Sequence, residues 1–211
     1  MADSEKSLGL HQRIPLDILL EALRAEINDE LDSERVTELI STEYAGENRQ
    51  KKGIRQVKST LVGNPLVEFC KENKEAVLEA LKFCSDRNLI LSAIIAARYP
   101  ICYDIYSLLA KQFRIQDYIN TDLILRMLGT KYGANKSVYN VQINAVAQML
   151  EAELIKRVKV GVYEFAEPQK PMCEIAAKIW SLSYFINEQL ANQEDLESLM
   201  FEPYFRYLRM E

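Results

Sequence analysis

A chain of 211 residues is long enough for one good core or two small ones, and 48% apolar with 27% charged residues is ordinary for a globular protein. The net charge of −5 excludes a wholly basic nucleic-acid coat, so any grip on phosphate must come from local clusters of cations. With only 7 glycines and 6 prolines, the chain should be helical with short connections.

The residues before Ile14 look frayed. They contain the one histidine, His11, which reads as solvated and is a poor catalytic candidate. Pro15 suits a first helical position, and Leu16, Leu19, Leu20, Leu23, Ile27 and Leu31 then mark one apolar face. A second helix is predicted from Ser33 to about Tyr44, with Val36, Leu39 and Ile40 inward. The segment RQKKGIRQVK, from Arg49 to Lys58, holds five cations and no acid. Ile54, Val57 and Leu61 give it a buried stripe, so it reads as a helix. Lys51, Arg55 and Lys58 line the other side, with Lys52 adjacent. This face is either solvated and balanced by Glu43 and Glu47, or a patch that contacts phosphate.

Asn64 caps and Pro65 enters a short helix to Glu72. Asn73 is predicted to cap another, with Val77, Leu78, Leu81 and Phe83 apolar. Asp86-Arg87-Asn88 reads as a turn. Leu89 to Tyr99 is apolar on nearly every face, which predicts a central buried helix. It is too short to span a bilayer, which needs about 20 residues. Pro100 ends it, and Ile101 to Phe113 forms the next helix. Tyr103, Tyr106 and Phe113 sit at helical spacing and read as core.

From Asn120 to Phe165 the pattern is helix, short turn, helix and β-hairpin, the order of a winged helix-turn-helix. The second helix is predicted to start near Ser137, a good N-cap, with Val138, Val141, Ala145, Met149 and Leu150 inward. Lys136, Asn140, Asn144 and Gln148 recur every four residues and form a polar stripe without acid. Carboxamides can both donate to and accept from the adenine edge in a major groove, so these residues are candidate DNA contacts. The alternative is an ordinary surface. After Glu153 the period becomes two: Ile155, Val158, Val160, Val162, Tyr163 and Phe165 are strand formers, and Gly161 supplies a turn. Lys156, Arg157 and Lys159 decorate this wing, where cations can lie along a phosphate backbone without reading sequence.

Pro168 and Pro171 make a stiff link. Met172 to Ala191 is predicted as a long amphipathic helix carrying Ile175, Ile179, Trp180, Leu182, Phe185 and Ile186. Asp195 to Phe201 adds a short turn of helix. The aromatic tail FEPYFRYLRM should dock onto the body or onto a partner. The four cysteines lack CxxC spacing and read as buried thiols of a reducing compartment, with no secretory signal ahead of them. There is no HExxH, P-loop, GxGxxG or G-x-S-x-G. No enzyme activity, cofactor, metal, small-molecule substrate or membrane partner is predicted.

The predicted fold is mainly α: a multi-helix bundle with a winged helix-turn-helix-like unit, carrying one small β-hairpin, in the C-terminal half. Its parts are N-terminal helices with a basic helix (1–66), central buried helices (67–118), the winged-helix-like unit (119–168) and C-terminal helices (169–211), joined in one body.

The basic RQKKGIRQVK helix, the buried NLILSAIIAARYPICYDI block, the ELIKRVKVGVYEF hairpin and the helical tail follow one another in a recognisable order. Together with the length, this resembles the small helical A component of bacteriophage exclusion (BREX) defence systems, over about Asn48 to Phe205. The resemblance implies a cytoplasmic bacterial protein that binds DNA in anti-phage defence, with other defence-system subunits as partners. It supplies no catalytic signature to carry over.

The leading expectation is therefore a non-enzymatic protein that binds double-stranded DNA through Lys136, Asn140, Asn144, Gln148, Lys156, Arg157 and Lys159, with Lys51, Lys52, Arg55 and Lys58 extending the footprint. The alternative is a protein-assembly adaptor whose winged helix docks on protein. An enzyme of unrecognised type ranks last.

Overall fold

A computed structural model describes residues 8–133, 136–190 and 199–209. In chain order the helices are α1 (Leu16–Ile27), α2 (Ser33–Glu43), α3 (Glu47–Leu61), α4 (Pro65–Glu72), α5 (Lys74–Ala80), α6 (Cys84–Arg98) and α7 (Pro100–Gln112). Then come β1 (Tyr118–Asn120), α8 (Thr121–Tyr132), α9 (Lys136–Glu151), β2 (Ile155–Lys159), β3 (Val162–Phe165), α10 (Glu174–Glu188) and a 3-10 turn at Pro203–Tyr207. The chain is mainly helical with a small three-stranded antiparallel sheet in its C-terminal half, as the sequence predicts. Among the described residues, no helix is long and apolar enough to cross a membrane.

Helix α6 is the axis of the bundle. Leu89 through Ala96 are buried on every side, and α1, α3, α4, α7 and α10 all lean on it. Its start corrects a sequence expectation. Asp86-Arg87-Asn88 reads as a turn by residue type, yet it lies in the first turns of α6. Asp86 is buried and its carboxylate accepts from the Met172 and Cys173 amides at 2.6 and 2.8 Å. It thus satisfies backbone donors at the entry to α10 that have no helical partner of their own. Asn64 caps α4 as predicted, accepting from the Leu66 amide, and it also donates to the Ile94 carbonyl at 2.9 Å. Asn73 does not cap α5; its side-chain amide bonds back to the Phe69 carbonyl.

The aromatic tail docks on the body. Trp180 of α10 stacks on Tyr204 with centroids 4.4 Å apart, and Tyr106 of α7 lies parallel to Trp180 at 6.5 Å. The Tyr207 hydroxyl donates to the Tyr106 carbonyl, and Tyr204 pairs with Ser183. Tyr103, Tyr106 and Phe113 are core, as their spacing suggests. Of the predicted C-terminal helix, Glu174 to Glu188 is helical; Ala191 and most of the Asp195–Phe201 turn lie outside the described residues.

Cys70 and Cys102 are buried, Cys173 is half-buried and Cys84 is exposed, so the expectation of four buried thiols is corrected at Cys84, the first residue of α6. Burial pushes the Cys70 thiol up to about 12 and raises Cys102 as well. Because the thiolate is the reactive species, a thiol reagent should label Cys84 rapidly in the native protein and reach Cys70 and Cys102 only after denaturation. Labelling with mass-spectrometric site assignment checks this.

Burial also raises Tyr106, Tyr204 and Tyr207 well above the ordinary tyrosine range. A hydroxyl held neutral in the fold contributes stability that is complete below the unfolded value of about 10 and is lost as pH rises past it. Alkaline unfolding should therefore be cooperative above about pH 10, with tyrosinate absorbance from these groups rising together with loss of far-ultraviolet helix signal. Full tyrosinate absorbance with helicity intact would contradict the buried cluster.

Candidate nucleic-acid interface

The winged unit is built on strand order β1-β3-β2, all antiparallel. Tyr118, Ile119 and Asn120 pair with Glu164, Tyr163 and Val162, and β2 covers the other edge of β3. The sequence does not reveal β1, because three residues are too few to show a period. Asn120 caps α8 by accepting from the Leu123 amide at 2.8 Å. The β2–β3 turn places Gly161 at φ +71°, and its carbonyl accepts from the Thr121 amide, which pins the hairpin tip to the start of α8. Strand, helix, helix and hairpin in this order form a winged helix-turn-helix topology, with α9 in the position of the second helix.

Val138, Val141, Ala145 and Met149 face inward on α9 as predicted. The carboxamide stripe divides. Lys136 and Asn140, on the N-terminal half, are exposed. Asn144 instead donates to the Leu10 carbonyl at 3.0 Å, and Gln148, only 1% exposed, donates to the Ile14 carbonyl at 3.2 Å. Asn144 and Gln148 are thus corrected from candidate base contacts to internal clamps. Periodicity placed them on one face but carried no sign of what covers it.

What covers it is the segment 8–15, expected to fray but in fact built in. Leu10 and Ile14 are fully buried. The strap is neither helix nor strand: the Leu10 and His11 amides bond the Leu8 and Gly9 carbonyls in tight turns, and other elements supply the further partners. Gln56 of α3 accepts from the His11 amide and donates to the Gly9 carbonyl, both at 3.1 Å. Tyr44 donates to the Arg13 carbonyl and Gln12 to that of Arg49. Glu151, at the end of α9, accepts from the Arg13 guanidinium and from the Leu16 amide, each at 2.7 Å. It thereby caps α1, where Pro15 has no side-chain acceptor to offer. Gly53 lets α3 approach closely, since a Cβ there would lie 3.0 Å from Ile40 and 3.3 Å from Gln12.

On α3, Lys51, Lys52 and Arg55 are exposed and Lys58 is half-exposed. Lys51 pairs with Glu47 at 2.5 Å and Lys58 donates to the Ser33 hydroxyl. The strap, α3 and the end of α6 border a hollow of about 700 Å3 lined in part by His11, Lys52, Arg55 and Arg98. Sequence reasoning missed Arg98, because a single arginine in the last turn of a helix is an ordinary complement to the helix dipole. The strap bridges α9 and α3: Leu10 is held by Asn144, and the next residue, His11, which also lines the hollow, by Gln56.

On the wing, Lys156, Arg157 and Lys159 are exposed and form no ion pair among the described residues. Glu164 stands opposite Lys156 in register and offsets part of its charge. Val158 and Val160 are also open, the latter 93% exposed, as are Tyr139 and Ile143 on α9. Among the described residues, no group of histidine, cysteine, aspartate and glutamate side chains could hold a metal ion. In comparisons with protein-family models, curated proteins and solved structures, nothing matches the chain.

Replacing Gln148 with Ala leaves the buried Ile14 carbonyl without a donor. The expected loss is about 1–3 kcal/mol by urea unfolding, with a smaller loss for Asn144→Ala at its partly open site. Amide exchange across the strap should quicken in both. Unchanged stability combined with altered base preference would overturn the clamp assignment.

Proposed function

We propose that the chain is a non-enzymatic protein that binds double-stranded DNA through its winged unit. Lys156, Arg157 and Lys159 hold backbone phosphates, and the open half of α9, with Lys136 and Asn140, faces the major groove. The observation that carries this reading is the wing itself: three exposed cations that form no ion pair among the described residues, with Glu164 opposite Lys156 alone, on the hairpin that follows α9, in a chain whose net charge is −5. With Asn144 and Gln148 committed to the strap, Asn140 is the one carboxamide of the stripe left fully open to a base. Phosphate contact therefore dominates, and binding is largely independent of sequence. Following the resemblance to the A component of BREX systems, the biological setting we propose is bacterial anti-phage defence in the cytoplasm, with other defence subunits as partners.

A second reading has its own support. Val158 and Val160 on the wing, with Tyr139 and Ile143 on α9, are apolar and exposed within one unit, which suits an adaptor that docks on protein.

The two part in one titration. In fluorescence anisotropy with a random-sequence duplex across a salt series, the Lys156→Ala/Arg157→Ala/Lys159→Ala variant should bind all sequences more weakly. Its plot of log affinity against log salt should be shallower by about two to three units, near one for each phosphate no longer neutralised. Wild-type behaviour of that variant would remove the wing from the interface. Absence of duplex binding even at low salt, together with a stable protein partner, would favour the adaptor.

A further inference from the structure

The hollow beside α3 has a composition that the acidic balance of the chain makes unexpected. The chain has 31 acidic against 26 basic residues, yet among the described residues no carboxylate lines this hollow or the shallower one that adjoins it. Lys52, Arg55 and Arg98 converge here from two helices, and none has an ion-pair partner among the described residues. Lys51 and Lys58 edge the adjoining hollow. The dipole of α6 accounts for Arg98 alone; it does not account for Lys52 and Arg55 beside it. Like charges gathered this way repel one another, and an anion between them relieves that.

The floor is fixed in advance. The Tyr99 hydroxyl is held by Gln56 at 2.7 Å and by Ser59 and Thr60 at 2.9 Å. Gln56 is also the residue that secures the strap. The cations thus stand around a rigid polar base, and two of them are guanidiniums, whose forked donors match tetrahedral oxyanions. The hollow is partly open and the exposed Lys52 and Arg55 line it, so a phosphate can enter while attached to something larger.

We infer that this hollow is a phosphate-binding site separate from the wing. The phosphate belongs either to the backbone of a duplex or to a free phosphorylated small molecule. The first source rests on the DNA-binding reading above. It is geometrically natural, because Asn144, which holds the strap, is one helical turn from the exposed Asn140. The second source is independent of that reading.

The test uses the full chain, wild type and Arg55→Gln/Arg98→Gln, with the wing triple variant in parallel. One arm is the duplex salt series; the other is calorimetric titration with inorganic pyrophosphate. Neither arginine makes an ion pair within the fold among the described residues, and circular dichroism with thermal melting verifies that the variant folds. If the backbone is the source, the double variant loses duplex affinity and its salt slope is shallower by about two units. If a free phosphate is the source, duplex binding is unchanged and pyrophosphate binding weakens by about tenfold or more. Loss in either arm supports the site. No loss in both arms overturns it, whatever the wing variant does. Loss of duplex binding in the double variant but not in the wing variant would keep the hollow and reject the wing.

Discussion

The interaction on which the architecture turns is the set of side-chain bonds that hold residues 8–15 against α3 and α9. The chain there is neither helix nor strand; beyond two tight turns, in which the Leu10 and His11 amides bond the Leu8 and Gly9 carbonyls, the backbone groups it buries are matched from outside. Carboxamides suit this task because each offers both donors and an acceptor, and Gln56 uses both toward one short stretch of strap. Glu151 completes the arrangement by accepting from the Leu16 amide 135 positions earlier in the chain. The winged unit is in this way fastened to the first helices, with the strap bridging α9 and α3.

Much of this fold was legible, and the legible part follows from periodicity. A helix face repeats its apolar residues, so the inward positions of α1 and α9 could be read directly, as could the all-round burial of α6; the run of strand formers located the hairpin, although its burial does not alternate. Periodicity assigns a residue to a face and is silent about what lies against that face. Asn140 and Asn144 are the same residue type, one turn apart, yet one is open and the other is half-covered by, and bonded to, a strap from the far end of the chain. Asp86 shows the same limit: a turn-forming triplet by composition became the first turn of a buried helix, because its carboxylate meets the entry to α10. The strap was least legible of all, since short segments without period look frayed unless their partners are known.

Charge placement was partly legible. The RQKKGIRQVK face could be found by counting, and the structure leaves most of it exposed. Its extension by Arg98 could not, because the two come together only when α3 packs on α6. A linear count also misses neutralisation: Lys51 is answered by Glu47 on its own helix, whereas Lys52 and Arg55 are answered by no described carboxylate.

Clamping the strap consumes the inner half of the α9 stripe, and this constrains any mode of recognition. A carboxamide bonded to a buried carbonyl cannot also present its edge to a base without breaking that bond, and the carbonyl would then be left unpaired at a penalty of about 1–3 kcal/mol. A single good bidentate base contact contributes about 1–3 kcal/mol of discrimination, so the exchange brings no net gain. Readout by Gln148 therefore gains nothing as long as the strap stays in place. What α9 can offer a partner is confined to its first turns and to the exposed Tyr139 and Ile143, with the exposed cations of the wing on the hairpin that follows it. Such a surface favours a partner recognised by charge and shape over one recognised by the order of its bases.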